Sequence, residues 1–500
     1  MNKFDFTSLS GTWKFRACMA VAVLAVLCQL YYCFSYDIWF DESFSLQLIQ
    51  HSFTDVIRLT SADIHAPFYY LILKLFVDGV HLLLPNVPAI FLGKMVSVIP
   101  FIILIAVCAT KVRRQWGNYV AGVGAVCLAC LRIEYGVEIR MYSFGLLFVT
   151  LAFLWLWDVL SRWDVRSWAG FVIFSLCAAY THTYALLAVS GLWLALLIYV
   201  CVSSRSHLKA WGIAAAITIV GYLPWMSVLI GQVEHVSGGF WIEPLTPGSL
   251  IHLVSAMLNN QQCMIGWLFF AFLLILFNKG GWRKGGLGIY ALTGILAPFF
   301  VLFVGAVVSV CIQPVLIFRY LMPGLGCLWI GQLIVASHAS KDLRYLLVCL
   351  LFVMAAAYSV DFIRSERNCK QKADSTIQFL TSNDDAVYIT DGTTIQRLHD
   401  IRVVACLTGE PCYTYKWVSD FIDMKEMNLG VFTNLHEIST SDEIRTLMSS
   451  GKHVYYISDR DMQEEYIIQS GQFAYKDLGL YKLGLFSANI YCITLADKGN

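Results

Sequence analysis

The stretch Tyr36-Asp37-Ile38-Trp39-Phe40-Asp41-Glu42-Ser43-Phe44-Ser45, continuing to Asp63-Ile64-His65-Ala66-Pro67-Phe68-Tyr69-Tyr70, decides how the chain is read. It follows directly on an apolar run. Between residues 36 and 70 it gathers five acids (Asp37, Asp41, Glu42, Asp55, Asp63), two histidines (His51, His65) and Arg58. Adjacent carboxylates beside a membrane span are costly to desolvate, so they stand in water or take part in chemistry. A solvated acidic loop is the competing reading, and the rest of the chain decides between them.

Composition settles the class. The 500 residues are 58% hydrophobic and only 14% charged, whereas soluble domains carry about 25% charged residues. The chain reads as a polytopic α-helical membrane protein whose partner is the lipid bilayer. Its net charge of +1 carries no signature of nucleic-acid binding. Most of the 16 cysteines lie in apolar runs, where Cys behaves as a small hydrophobe. The Cys-x-x-Cys spacing at Cys127 and Cys130 falls inside such an apolar run and does not read as a zinc or redox motif. Cys406 and Cys412 could pair if their domain lies outside the cytoplasm.

A spanning helix needs about 20 apolar residues. Eleven candidates meet or approach this: 15–35, 88–110, 118–134, 141–160, 168–183, 184–202, 209–230, 264–278, 287–312, 319–338 and 343–362. The first, preceded by Lys3, Lys14 and Arg16, reads as an uncleaved signal anchor. The segment 66–85 is also apolar but contains Lys74, Asp78 and His81. If it does not cross, the basic loops at 111–114, 161–166, 203–209, 278–284 and 340–344 share one side with the basic N-terminus, the cytoplasm. The loops 36–87, 135–140, 181–184, 231–262 and 313–318 then lie outside and are poor in Lys. We therefore expect 66–85 to lie at the outer interface, preceded by helices at 43–50 and 53–60.

After Phe362 the spans end. Residues 363–500 alternate β-rich runs at 386–390, 401–407, 429–433 and 453–458 with helical patterns such as Ser441-Asp-Glu-Ile-Arg-Thr-Leu-Met. This predicts a small extracytoplasmic α/β domain after a membrane domain at 1–362, with 36–87 as the functional outer loop.

On this topology the polar residues hardest to explain by packing collect on one side: Asp41, Glu42 and His65 in the first outer loop, Glu134, Glu138, Arg140 and Tyr142 after the third span, His182 and Tyr184 at an outer turn, and Arg319 and Tyr320 at the start of the tenth. Two Arg on the Lys-poor side suit an anion, since a guanidinium fork matches phosphate. For each alone, snorkelling to lipid headgroups is the bland alternative.

The combination Phe40-Asp41-Glu42-Ser43-Phe44, Asp63-Ile-His65-Ala-Pro67-Phe-Tyr-Tyr, Ile139-Arg140-Met141-Tyr142, Thr181-His182-Thr-Tyr and Arg319-Tyr-Leu-Met-Pro resembles the bacterial protein-mannosyltransferase-like family of GT-C glycosyltransferases (glycosyltransferase family 39 type). The aminoarabinose lipid A transferases are more distant relatives. The resemblance covers roughly residues 10–340 and departs from the family at His65-Ala66-Pro67, where His-Pro-Pro is usual.

The resemblance implies a GT-C fold and an inverting transfer of a sugar from a polyprenyl-phosphate donor to an extracytoplasmic glycan, lipid or protein acceptor in the bacterial inner membrane. It implies Asp41 as general base, with Glu42 tuning it. Arg140 and Arg319 would neutralise the leaving phosphate. His65 would donate to that phosphate or hold the loop, and Asp63, Tyr142, His182 and Tyr320 would contact substrate. No cofactor is obligatory; a divalent metal is compatible with Asp, Glu and His but not required when two guanidinium groups face a monophosphate. The competing functions are a transporter or flippase of a lipid-linked or polar substrate, and a glycan transferase or polymerase using a diphosphate donor.

Overall fold

The computed structural model describes residues 9–237, 242–258, 260–277, 286–382, 385–415 and 430–496. Eight helices among these are long and apolar enough to cross a membrane: Thr12–Tyr32, Ala89–Cys130, Tyr142–Arg162, Thr183–Ser203, Arg205–Glu234, Gly286–Cys311, Phe318–Ser337 and Lys341–Thr381. A ninth is added if the pair Pro247–Met257 and Gln261–Leu276, bent by 78°, is one span.

The expected number, eleven, differs for three physical reasons. Two expected spans fall in the single run Ala89–Cys130, which at 42 residues is about twice what a bilayer needs. That run leaves helical geometry at Gly117 (φ 82°, ψ −178°), a conformation open to glycine. The expected span at 168–183 lies in a helix whose apolar part, Val165–Ala179, is too short. The one at 264–278 is half of the bent pair. The helix Phe68–His81 occupies the expected 66–85 segment; its 14 residues reach about 21 Å, short of the hydrocarbon core. The basic loop at 278–284 lies outside the described residues.

The chain divides into two compact units. The first comprises Met1–Tyr31, Asp63–Ile72 and Met95–Ile363; the second comprises Tyr32–Ala62, Leu73–Lys94 and Arg364–Asn500. Most of the acidic outer loop thus groups with the C-terminal residues rather than with the spans that flank it.

In the first unit, small residues let helix backbones approach. A Cβ added at Gly331 would stand 2.6 Å from the Ala291 carbonyl oxygen, and one at Gly294 would stand 2.7 Å from the Cys327 carbonyl oxygen.

The second unit holds one sheet. Strands β1 (Ala386–Asp391), β2 (Cys412–Tyr415), β3 (Leu435–Ile438), β4 (His453–Ser458), β5 (Phe473–Leu483) and β6 (Phe486–Leu495) lie in the order β3-β2-β1-β4-β6-β5. The first four are parallel; β6 is antiparallel to β4 and forms a hairpin with β5. Val387, Ile389, Tyr415, Ile438, Val454, Tyr456 and Ile493 build its core.

The run at 401–407, expected as a strand, lies inside the helix Ile395–Thr408. Thr394 accepts the Arg397 N–H at its start and Gly409 (φ 69°) ends it. These caps and the burial of Ile401, Val403 and Val404 override their β propensity. Leu429 lies outside the described residues, and Gly430 and Val431 beside it are helical rather than extended. Cys406 and Cys412 are both free thiols, not a disulfide.

Helices Phe40–Leu48 and Phe53–Ala62 form close to the expected positions and belong to the second unit. Phe40 stacks on His399, with ring centroids 3.4 Å apart. His51 Nε2 lies 3.0 Å from the Val431 carbonyl oxygen.

Candidate functional site

In the first unit, two chain corners meet. Pro67, whose carbonyl accepts the Leu71 N–H at 3.0 Å, opens the helix Phe68–His81. The short loop before it carries Asp63 and His65, and Gln232 Nε2 anchors that loop by donating to the Asp63 carbonyl at 2.6 Å. The other corner is the turn before the helix Tyr142–Arg162. Ser97 donates to the Glu138 carbonyl at 2.6 Å and the Arg140 N–H donates to the same oxygen at 2.8 Å, fixing the backbone from which Arg140 projects.

His65 joins the corners. Its Nδ1 lies 2.6 Å from Asp63 Oδ2 and its Nε2 lies 2.8 Å from Arg140 Nη2. A guanidinium can only donate, so Nε2 accepts and the ring proton sits on Nδ1, donated to Asp63. A carboxylate thus sets the imidazole tautomer, and the imidazole holds the guanidinium. Burial acts to raise the Asp63 carboxyl, but the His65 ring, the Ile64 N–H and Arg140 outweigh it and hold the group below its ordinary range. Arg140 Nη1 donates to the Tyr70 hydroxyl at 3.1 Å. The guanidinium, 2% exposed, is fixed at two of its arms.

Arg319 opens the 3-10 turn Phe318–Gly324, and its guanidinium carbon lies 5.9 Å from the Tyr142 ring centroid. The charges of both Arg140 and Arg319 bear on Tyr142 and on His182. His182 Nδ1 accepts the Tyr184 N–H at 3.1 Å and caps the helix Thr183–Ser203, so the ring proton of the neutral form lies on Nε2. Its ring packs 5.7 Å from Tyr142 and 5.3 Å from Tyr320, and Tyr320 stacks on Tyr184 at 4.4 Å. Asp63, His65, Arg140, Tyr142, His182, Arg319 and Tyr320, scattered over more than 250 positions of sequence, therefore form one neighbourhood of two cations among aromatic rings.

Asp41 and Glu42 lie in the second unit, in the first turn of the helix Phe40–Leu48, where the helix dipole favours anions. Glu42 is buried, and its Oε2 accepts the Trp39 N–H at 3.0 Å as a helix cap. Asp41 is half-buried. Among the described residues no group of three or more His, Cys, Asp or Glu side chains is arranged to hold a metal ion.

Sequence reading missed Tyr70 and Gln232, which support Arg140 and Asp63, because neither type stands out beside apolar runs. It also missed Lys94, 2% exposed, which donates to the Asp37 carbonyl, and Lys482, which pairs with the Asp37 carboxylate. A lysine inside the apolar run 88–110 was the available signal. Burial pulls Lys482 down to about 8.

The chain is a helical membrane protein with a small α/β unit, and it shares this fold with solved structures. Two of them are structures of ArnT from Cupriavidus metallidurans. In the apo state it matches with a TM-score of 0.61 at 11% identity, over 97% of this chain and 98% of that one. Bound to undecaprenyl phosphate, it matches with a TM-score of 0.61 at 11% identity, over 96% and 98%. An Archaeoglobus fulgidus oligosaccharyltransferase in complex with Zn and sulfate gives a TM-score of 0.44 at 10% identity, over 87% of this chain and 68% of that one. No family model and no curated protein matches the chain by sequence.

Proposed function

We propose that the protein is an integral-membrane glycosyltransferase that moves a sugar from a polyprenyl-phosphate donor to the hydroxyl of an extracytoplasmic acceptor with inversion. The observation that supports this most is the line Asp63–His65–Arg140, which holds a buried guanidinium in one orientation beside Arg319. The binding of undecaprenyl phosphate by ArnT, which shares the fold, points to the same donor class.

The acceptor oxygen attacks the anomeric carbon as the bond from that carbon to the phosphate oxygen breaks. The acceptor proton passes to the Asp41 carboxylate, and the lipid leaves as a phosphate monoester. Negative charge grows on the leaving phosphate, and Arg140 and Arg319 neutralise it where it forms. Asp63 and His65 act one step back, by keeping the Arg140 fork aimed; Tyr142, His182 and Tyr320 offer ring faces and a hydroxyl to the sugar. Two guanidinium groups suffice for a monophosphate, so no metal is required. The chain would cross the bacterial inner membrane several times, with its N-terminus in the cytoplasm and residues 363–500 outside.

The test is transfer of radiolabelled sugar from polyprenyl phosphate by the purified chain, with mass analysis of lipid that co-purifies. Asp41→Asn should abolish transfer while leaving donor lipid bound, and transfer should survive EDTA. Undiminished transfer by Asp41→Asn removes the base assignment; loss in EDTA favours a metal-assisted diphosphate donor. Transbilayer movement of label by Asp41→Asn without transfer identifies a flippase.

A further inference from the structure

The helix Tyr142–Arg162 has 21 residues and is about 30 Å long, the thickness of a hydrocarbon core. The Arg140 cluster lies at its N-terminal end. At its other end a cavity of about 350 Å³ opens, lined by Lys111, Arg114, Arg162 and Arg166 with Asp158 and Trp155. Four cations face one carboxylate. Asp158 is buried and already engaged: it pairs with Lys111, accepts from Gln115 at 2.8 Å and lies 3.9 Å from Arg162. Lys111 sits 4.0 Å above the Trp155 ring centroid. Among the described residues, neither Arg114 nor Arg166 forms an ion pair, and the nearby Asp164 accepts the Ser167 N–H as the cap of the next helix. The cavity therefore has an excess of positive charge on a floor that is partly aromatic.

Two features set the ligand class. The turn of helix that delivers Lys111, Cys108–Val112, is a π-helical insertion, a device common at functional sites because an added residue re-aims a side chain. The exposed positions Ile102, Ile103, Ala106 and Thr110 also form one helical face that runs from the bilayer to the cavity rim. A soluble anion has no use for such an apolar track, whereas an acyl chain lies along it.

We propose that this cavity binds the phosphodiester headgroup of an anionic glycerophospholipid, with Arg114 and Arg166 gripping the phosphate. The site stands at the opposite end of the helix from Arg140 and so reads the other leaflet. On the charge asymmetry of the loops that is the cytosolic one, where basic pockets between spans meet anionic lipid.

The test is native mass spectrometry of the full chain, delipidated in detergent and titrated with phosphatidylglycerol or phosphatidylcholine. Wild type should prefer phosphatidylglycerol, and the doubly substituted Arg114→Gln/Arg166→Gln chain should bind it roughly thirtyfold more weakly, as expected for two surface cations. Both arginines are exposed, so the variant should fold; an unchanged thermal transition checks this. Arg140→Lys should leave this preference intact. Equal binding of phosphatidylcholine, displacement of the lipid by millimolar inorganic phosphate, or loss through Arg140→Lys but not through the double variant would each overturn the proposal.

Discussion

Arg140 is held by a ring nitrogen on one arm and a phenol on the other, and the two supports are unequal. Arg140→Lys keeps the charge but cannot reach both partners and a phosphate at once. It should lower kcat/KM for sugar transfer by about 100-fold, the scale of one lost transition-state donor. Tyr70→Phe removes a single hydrogen bond, worth about 1 kcal/mol, and should cost tenfold or less in the same assay. A larger loss for Tyr70→Phe than for Arg140→Lys would mean that the phenol touches substrate. In the second unit, Asp400 is 1% exposed and its Oδ2 has no hydrogen-bond partner. Burial, reinforced by Asp459 against the pull of Arg397, pushes it up to about 8. An acid whose pKa is higher folded than unfolded contributes its stability below the unfolded value, near 4, and loses it as pH rises towards about 8. Asp400→Asn should therefore stabilise the fold at pH 8, read as a higher melting temperature, and leave it nearly unchanged at pH 4. At this scale the sequence was readable wherever a charge sat in apolar surroundings, as with His65, Arg140 and Arg319. It was unreadable where the partner was a tyrosine or glutamine, types that pack unremarkably, or where a carboxylate caps its own helix, as Glu42 does.

Among the elements, helix contacts in the first unit depend on missing side chains. The Cβ of Gly331→Ala would press on backbone atoms of the facing helix, at 2.6 Å from the Ala291 carbonyl and 3.1 Å from the Ile295 nitrogen, which cannot rotate away. We expect a loss of about 1–3 kcal/mol, read as a lower thermal transition in detergent. Gly212→Ala is the control: nothing lies within 4 Å, so the gain in helix propensity, about 1 kcal/mol, should show alone. Equal effects at the two positions would mean that the helices do not pack this closely. Spans were legible because about 20 apolar residues in a row belong in a bilayer and almost nowhere else. Their number was less so, because hydropathy does not register the non-helical Gly117 within Ala89–Cys130 or the 78° bend before Gln261. The Ile401-Arg-Val-Val run misled for a related reason: β-branched residues signal burial as much as extension, and the caps at Thr394 and Gly409 decide which.

On the scale of the whole molecule, the second unit draws on three separate passages of chain. Local patterns cannot announce pairings such as Phe40 with His399 or His51 with Val431, so the sequence suggested a simple cut near residue 363. Residues 364–500 made alone would bare the face of the Ile395–Thr408 helix that Phe40 covers. That fragment should be readily cleaved in limited proteolysis, and a peptide spanning 36–62 should protect it. Resistance without the peptide would show that the C-terminal residues fold independently.

This braided ancestry also governs how the protein is made. Once residue 62 has left the ribosome, about 300 further residues must be synthesised before its C-terminal partners exist, which at 5–20 residues per second is roughly 15–60 s. Throughout that interval the acidic loop has only residues 73–94 of its own unit to pack with, so this unit closes only after the last span has been made.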